Sequence, residues 1–177
     1  MPFIGLRKPP EQNLSSCLKL GDIAPESSFL VKGKENLILF LRHTGCPFAE
    51  AALKALSDLA NNDSELKCTA IFHGEALISK KWISSFNLSS NLNLVFDEHR
   101  DTYGDWGIGY SKITHLFNPK MLVNLIKLAL NGITNKDASG TRWQQQAAFL
   151  IDDKGKVQWL HFPMHTGDLP NFLTIEK

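Results

Sequence analysis

Ile38-Leu39-Phe40-Leu41-Arg42-His43-Thr44-Gly45-Cys46-Pro47-Phe48-Ala49-Glu50 is the stretch on which the reading of the fold turns. Its apolar opening suits a buried strand. Beyond it, Ala49, Ala51, Ala52, Leu53, Ala55, Leu56, Leu59 and Ala60 recur with the spacing of a helix that has a broad packing face. Pro47 fits the first turn of that helix, where a missing N–H costs little. One cysteine, Cys46, is thereby delivered to the junction of strand and helix. Unpaired backbone N–H groups and the positive end of the helix dipole stabilise a thiolate there.

Working outward, Lys32-Gly33-Lys34-Glu35-Asn36 reads as the turn before the strand, and Asn61-Asn62-Asp63 breaks the helix. Leu66–Phe72 and Leu92–Phe96 have strand composition, with a short helix expected over Glu75–Phe86 between them. Tyr103-Gly104 is expected to close another short helix, glycine taking the helix-ending conformation. Trp106-Gly107-Ile108-Gly109-Tyr110 lacks the spacing of a dinucleotide-binding loop and reads as a turn with aromatic packing. A helix runs from Asn118-Pro119 to Asn131-Gly132. Its apolar surface leaves only a narrow polar stripe at Lys120, Asn124, Lys127 and Asn131, so it needs cover from the core, a second subunit or the thiol site. Residues 135 to 140 form a polar loop. Ala147–Ile151, the Asp152-Asp153-Lys154-Gly155 turn and Lys156–His161 make a hairpin, and Asp168 is placed to start a short terminal helix.

A chain of 177 residues buries a substantial core as one domain, here residues 20–177, with the proline-bearing residues 1–19 as an N-terminal arm. Nineteen basic residues against eighteen acidic ones leave a formal charge of +1. That balance makes no case for nucleic acid as a partner. No apolar run is long enough to span a membrane, and no secretory leader is apparent, so a reducing cytoplasmic setting is expected. The three cysteines, Cys17, Cys46 and Cys68, match no zinc or disulfide framework. His73, His99, His115, His161 and His165 make no short metal motif, so neither a metal site nor a bound cofactor is expected. Cys68 lies in a strand-like run and reads as a core residue.

Leu20-Gly21-Asp22-Ile23-Ala24-Pro25, Thr44-Gly45-Cys46-Pro47-Phe48, and Trp143-Gln144 with Phe149-Leu150-Ile151-Asp152-Asp153-Lys154-Gly155 occur in that order. Together they resemble the peroxiredoxin/alkyl hydroperoxide reductase superfamily, and more narrowly its peroxiredoxin-like branch. The resemblance covers roughly residues 20 to 165. It implies an α/β, thioredoxin-like three-layer fold with a central mixed sheet flanked by helices. It also implies a thiol-dependent oxidoreductase that reduces hydrogen peroxide or organic hydroperoxides through oxidation of Cys46. The partners implied are the peroxide, an external thiol reductant and a second copy in a homodimer. The alternative is a redox-sensing or protein-binding module that keeps the scaffold and the cysteine without rapid turnover.

The site residues are Cys46, His43, Thr44 and Arg42. In the resembled family a proline stands seven residues before the reactive cysteine and a threonine three before it; Leu39 and His43 hold those places, and Thr44 is shifted by one. An arginine expected three residues before the strand phenylalanine is replaced by Gln146, with Arg142 nearby in sequence. His43 or Arg42 could compensate by positive charge or hydrogen bonding. Glu50 suits the helix start. Ala49 rules out a Cys-x-x-Cys dithiol, and Cys17 is either a resolving thiol or incidental.

Overall fold

The computed structural model describes residues 11–112, 119–134 and 138–175. Residues 1–10 of the expected arm, Asn118 at the expected helix start, and residues 135–137 of the expected polar loop lie outside these. The elements are β1 (Asn36–Phe40), α1 (Pro47–Asn62), β2 (Lys67–His73), α2 (Ala76–Ile83), β3 (Asn93–Asp97), α3 (Asp101–Asp105), α4 (Pro119–Leu130), β4 (Ala147–Ile151) and β5 (Val157–His161). A 3-10 turn over Phe172–Thr174 follows. The strands form one sheet in the order β3-β2-β1-β4-β5. β1, β2 and β3 run parallel, while β4 is antiparallel to both β1 and β5. This is the three-layer mixed-sheet α/β architecture expected from the sequence.

β1 lies at the centre of the sheet and is buried on both faces, which accounts for its unbroken apolar run. Leu37 and Leu39 point to one core with Leu53, Leu56 and Ala60 of α1, Trp82 of α2 and the partly buried Leu125 and Leu128 of α4. Ile38 and Phe40 point to the other, with Ile71, Tyr103, Trp106 and Phe149. Phe40 meets Tyr103 edge-on at 5.1 Å between ring centres and Trp106 at 5.2 Å. The expected aromatic packing of the Trp106–Tyr110 turn is therefore centred on Trp106, which is fully buried.

Two terminations differ from expectation. Gly104 lies inside α3, and the left-handed residue is Gly107, at φ 69°. What demands glycine at 104 is close approach: a Cβ there would stand 2.3 Å from the carbonyl oxygen of Asn13. Asp168 starts no helix; its carboxylate accepts from the Met164 N–H at 2.8 Å. The terminal turn is capped by Asn171, which accepts from the Leu173 N–H at 3.2 Å. The described end of the arm is held in place, Gln12 donating to the Ile108 carbonyl and the Ser15 N–H to that of Gly104.

On α4, Val123, Ile126 and Leu130 are exposed. Among the described residues no helix is long and apolar enough to cross a membrane.

Candidate active site

The three parallel strands end along one edge of the sheet, and the chain leaving β1 there makes the turn that carries Cys46. Gly45 takes φ 78°, a left-handed conformation that glycine adopts without steric cost. Cys46 follows in extended conformation as the residue capping the sixteen-residue α1, and its carbonyl accepts the Glu50 N–H at 3.0 Å. Only 4% of Cys46 is exposed. Glu50, in the first helical turn, is buried and paired with Lys54 at 2.8 Å.

Arg42 is buried as well, and its Nη1 donates to Cys46 Sγ at 3.6 Å. Nη2 donates to the main-chain carbonyl of Arg142 at 3.0 Å, and Nε has no hydrogen-bond partner. A buried guanidinium is costly without an anion nearby. Arg42 has no carboxylate partner among the described residues. The group it touches that can carry negative charge is the Cys46 sulfur.

His43 does not supply the positive charge considered for it. Its Nδ1–H donates to the Thr44 carbonyl at 2.7 Å. Burial, then the charge of Arg42 and to a lesser degree that of Arg142, push its pKa down to about 3, so the ring is neutral at neutral pH. Thr44 is turned toward Ser139 rather than hydrogen-bonded to Cys46: its Oγ1 accepts from the Ser139 N–H at 3.0 Å, and its own N–H donates to Ser139 Oγ at 3.4 Å. The sheet edge thus brings Arg42 to Cys46 and leaves His43 and Thr44 bracing the turn.

Sequence reasoning did not bring Ser139, His73 or Tyr103 to the site, and it named Arg142 only as a neighbour in sequence. Ser139 Oγ donates to the His73 carbonyl at 2.9 Å, tying the turn to the end of β2. His73 is buried with no partner on either ring nitrogen and stands edge-on to Tyr103 at 5.6 Å. Burial, Arg100 and Arg42 lower its pKa to about 3. Arg142 contributes its carbonyl, a group common to every residue type. A signal was present in Gly74 and Gly140: a Cβ on Gly74 would lie 1.7 Å from Ser139 O, and one on Gly140 2.8 Å from His73 Nδ1. Tyr103 completes the frame, the one proton of its hydroxyl shared between the carbonyls of Leu41 at 2.7 Å and Ile71 at 2.9 Å.

Gln146, at the position where the resembled family carries arginine, is buried with its Nε2 unpartnered. Gln144 supports the fold, its Nε2 donating to the carbonyls of Ile108 and Gly109 at 2.9 and 3.0 Å. Cys17 is exposed and Cys68 is buried in the core, and none of the three cysteines is in a disulfide. Among the described residues no three His, Cys, Asp or Glu side chains gather to hold a metal.

The chain belongs to the AhpC/TSA antioxidant enzyme family, whose profile matches residues 52–165. That match begins within α1, after Cys46. The structure superposes on a peroxiredoxin-like protein from Aquifex aeolicus with a TM-score of 0.63 at 18% identity, covering 90% of this chain and 84% of that one. A thiol peroxidase from Chromobacterium violaceum gives 0.58 at 14% identity, covering 88% and 83%. A peroxiredoxin 6 variant from Arenicola marina gives 0.59 at 13% identity, covering 88% and 69%. At these identities the likeness is one of fold, and the fold is thioredoxin-like. A search of curated proteins found no match.

Proposed function

We propose that the protein is a one-cysteine, thiol-dependent peroxidase acting on hydrogen peroxide or a small organic hydroperoxide through Cys46. The observation that carries this reading is the buried Arg42 guanidinium 3.6 Å from the Cys46 sulfur with no carboxylate partner among the described residues. Together with the start of α1 it sets positive charge beside the sulfur. In the reaction, the thiolate attacks one peroxide oxygen. A sulfur–oxygen bond forms as the oxygen–oxygen bond breaks, the sulfur is oxidised by two electrons, and the leaving oxygen takes a proton to depart as water or alcohol. In this reading Arg42 and the N–H groups of the first helical turn offset charge on that oxygen. An external thiol then attacks the sulfenic sulfur, forming a mixed disulfide and releasing water, and a second thiol equivalent restores Cys46. A cytoplasmic setting supplies such thiols. A homodimer is the arrangement we expect in solution, with the exposed side chains of α4 as one surface for it.

The test is stoichiometric peroxide consumption together with intact-protein mass spectrometry, before and after Cys46→Ser. The wild type is expected to consume peroxide rapidly and gain one oxygen, and the variant to do neither. Unchanged consumption in the variant would remove Cys46 from the chemistry. The near-complete burial of Cys46, with Leu39 and His43 at the family's proline and threonine positions, favours a second reading as a redox sensor. Slow oxidation of Cys46 accompanied by an oxidation-dependent protein complex would select it.

A further inference from the structure

The segment Ser139–Arg142 is almost one hundred residues from the Cys46 turn in sequence, yet it makes four hydrogen bonds at the site. The Ser139 N–H donates to Thr44 Oγ1, Ser139 Oγ accepts from the Thr44 N–H and donates to the His73 carbonyl, and the Arg142 carbonyl accepts from Arg42 Nη2. Ser139 is 1% exposed, so its own groups lie away from bulk water. The segment is seated without slack, since Gly74 and Gly140 leave no room for a side chain between it and the end of β2. Arg42 has rotatable bonds that would let its guanidinium leave the sulfur. Its second contact, on the same segment that grips Thr44, opposes that.

We infer that Ser139 is a positioning residue for Cys46: by clamping Thr44 to the end of β2 it holds both the turn that presents the sulfur and the carbonyl that aims Arg42 at it. This rests on the reading of Cys46 as the reacting thiol. It adds that the charge felt by the sulfur is set by a segment that reaches it through Arg42. It also explains how a site with Gln146 in place of the family's arginine keeps a fixed cation. The cation is Arg42 of the same turn, aimed through a backbone carbonyl.

The experiment is site-resolved alkylation of Cys46, read by peptide mass spectrometry, with anionic iodoacetate and neutral iodoacetamide. A guanidinium held at the sulfur speeds the anionic reagent relative to the neutral one, and general loosening would speed both together. Ser139→Ala removes both hydrogen bonds of the hydroxyl and is expected to lower the iodoacetate-to-iodoacetamide rate ratio by at least about fivefold, the equivalent of one net hydrogen bond. Thr44→Val, which removes the acceptor for the Ser139 N–H, is expected to act in the same direction. The double variant should fall little further, because both changes open one clamp. An unchanged ratio in a folded Ser139→Ala protein would overturn the inference. If that variant does not fold, an unchanged ratio in Thr44→Val would do the same. Peroxide consumption is followed separately on the wild type. Loss of the ratio with no wild-type peroxide reaction would leave the clamp standing and refute the peroxidase reading; the converse result would do the reverse.

Discussion

Two buried neutral histidines should make this protein sensitive to mild acid. His43 and His73 each have an ordinary pKa of 6.5 that the fold lowers to about 3. The unfolded chain therefore binds more protons than the folded one below about pH 6.5, and stability is lost as pH falls through that window. Integrating each titration from about pH 7 to about pH 5 gives roughly 2 kcal/mol per histidine, or on the order of 4 kcal/mol for the pair. That is a large share of the roughly 5–15 kcal/mol typical of a domain. The three shifted carboxylates do not produce this slope. Glu65 and Asp152 are shifted downward from 4.5 and 3.8, so their contributions are lost below this window. Asp97 is raised from 3.8 by burial and works in the opposite sense. Urea denaturation at the two pH values measures the difference directly. His73→Leu removes one of the two sites: its ring nitrogens have no partner to lose, and its main-chain carbonyl still accepts from Ser139. The variant should lose about half the pH dependence. A wild-type free energy that differs by less than about 1 kcal/mol between the two conditions would refute the assignment, as would a full slope retained in the variant.

Tyr103→Phe removes the hydroxyl that serves the carbonyls of Leu41 and Ile71, and should cost about 1–3 kcal/mol in urea denaturation; no loss would mean that water replaces it. The same hydroxyl is fully buried, and its pKa is raised well above the ordinary 10.0, so stability should also fall as pH rises beyond that value in the wild type and less so in the variant. Gly74→Ala and Gly33→Ala replace glycines of similar left-handed φ, 79° and 73°, but only the first drives a Cβ into backbone at 1.7 Å. Gly33→Ala is expected to cost about 1 kcal/mol. Gly74→Ala should cost at least about 2 kcal/mol more, read from thermal or urea unfolding of the pair.

Much of this molecule was legible in its residue order because the signals are local. The unbroken apolar run of β1, the 3.6-residue spacing and Pro47 of α1, and the Asp-Gly turn of the last hairpin each specify their element through backbone preference and the burial of one face. Cys46 at the head of α1 follows from those same neighbours. Contacts between distant segments decided the rest. That Gly104 serves the approach of Asn13 rather than a helix end, that His43 is neutral, and that Thr44 answers to Ser139 all depend on which surfaces meet, and no short-range pattern encodes that. Arg142 aims Arg42 through a carbonyl that every residue possesses, so that part of its role could emerge only when folding brought that oxygen within 3.0 Å of Arg42. Order along the chain determined where the sulfur would stand, whereas tertiary packing decided what surrounds it, because burial and hydrogen bonding are properties of neighbours in space.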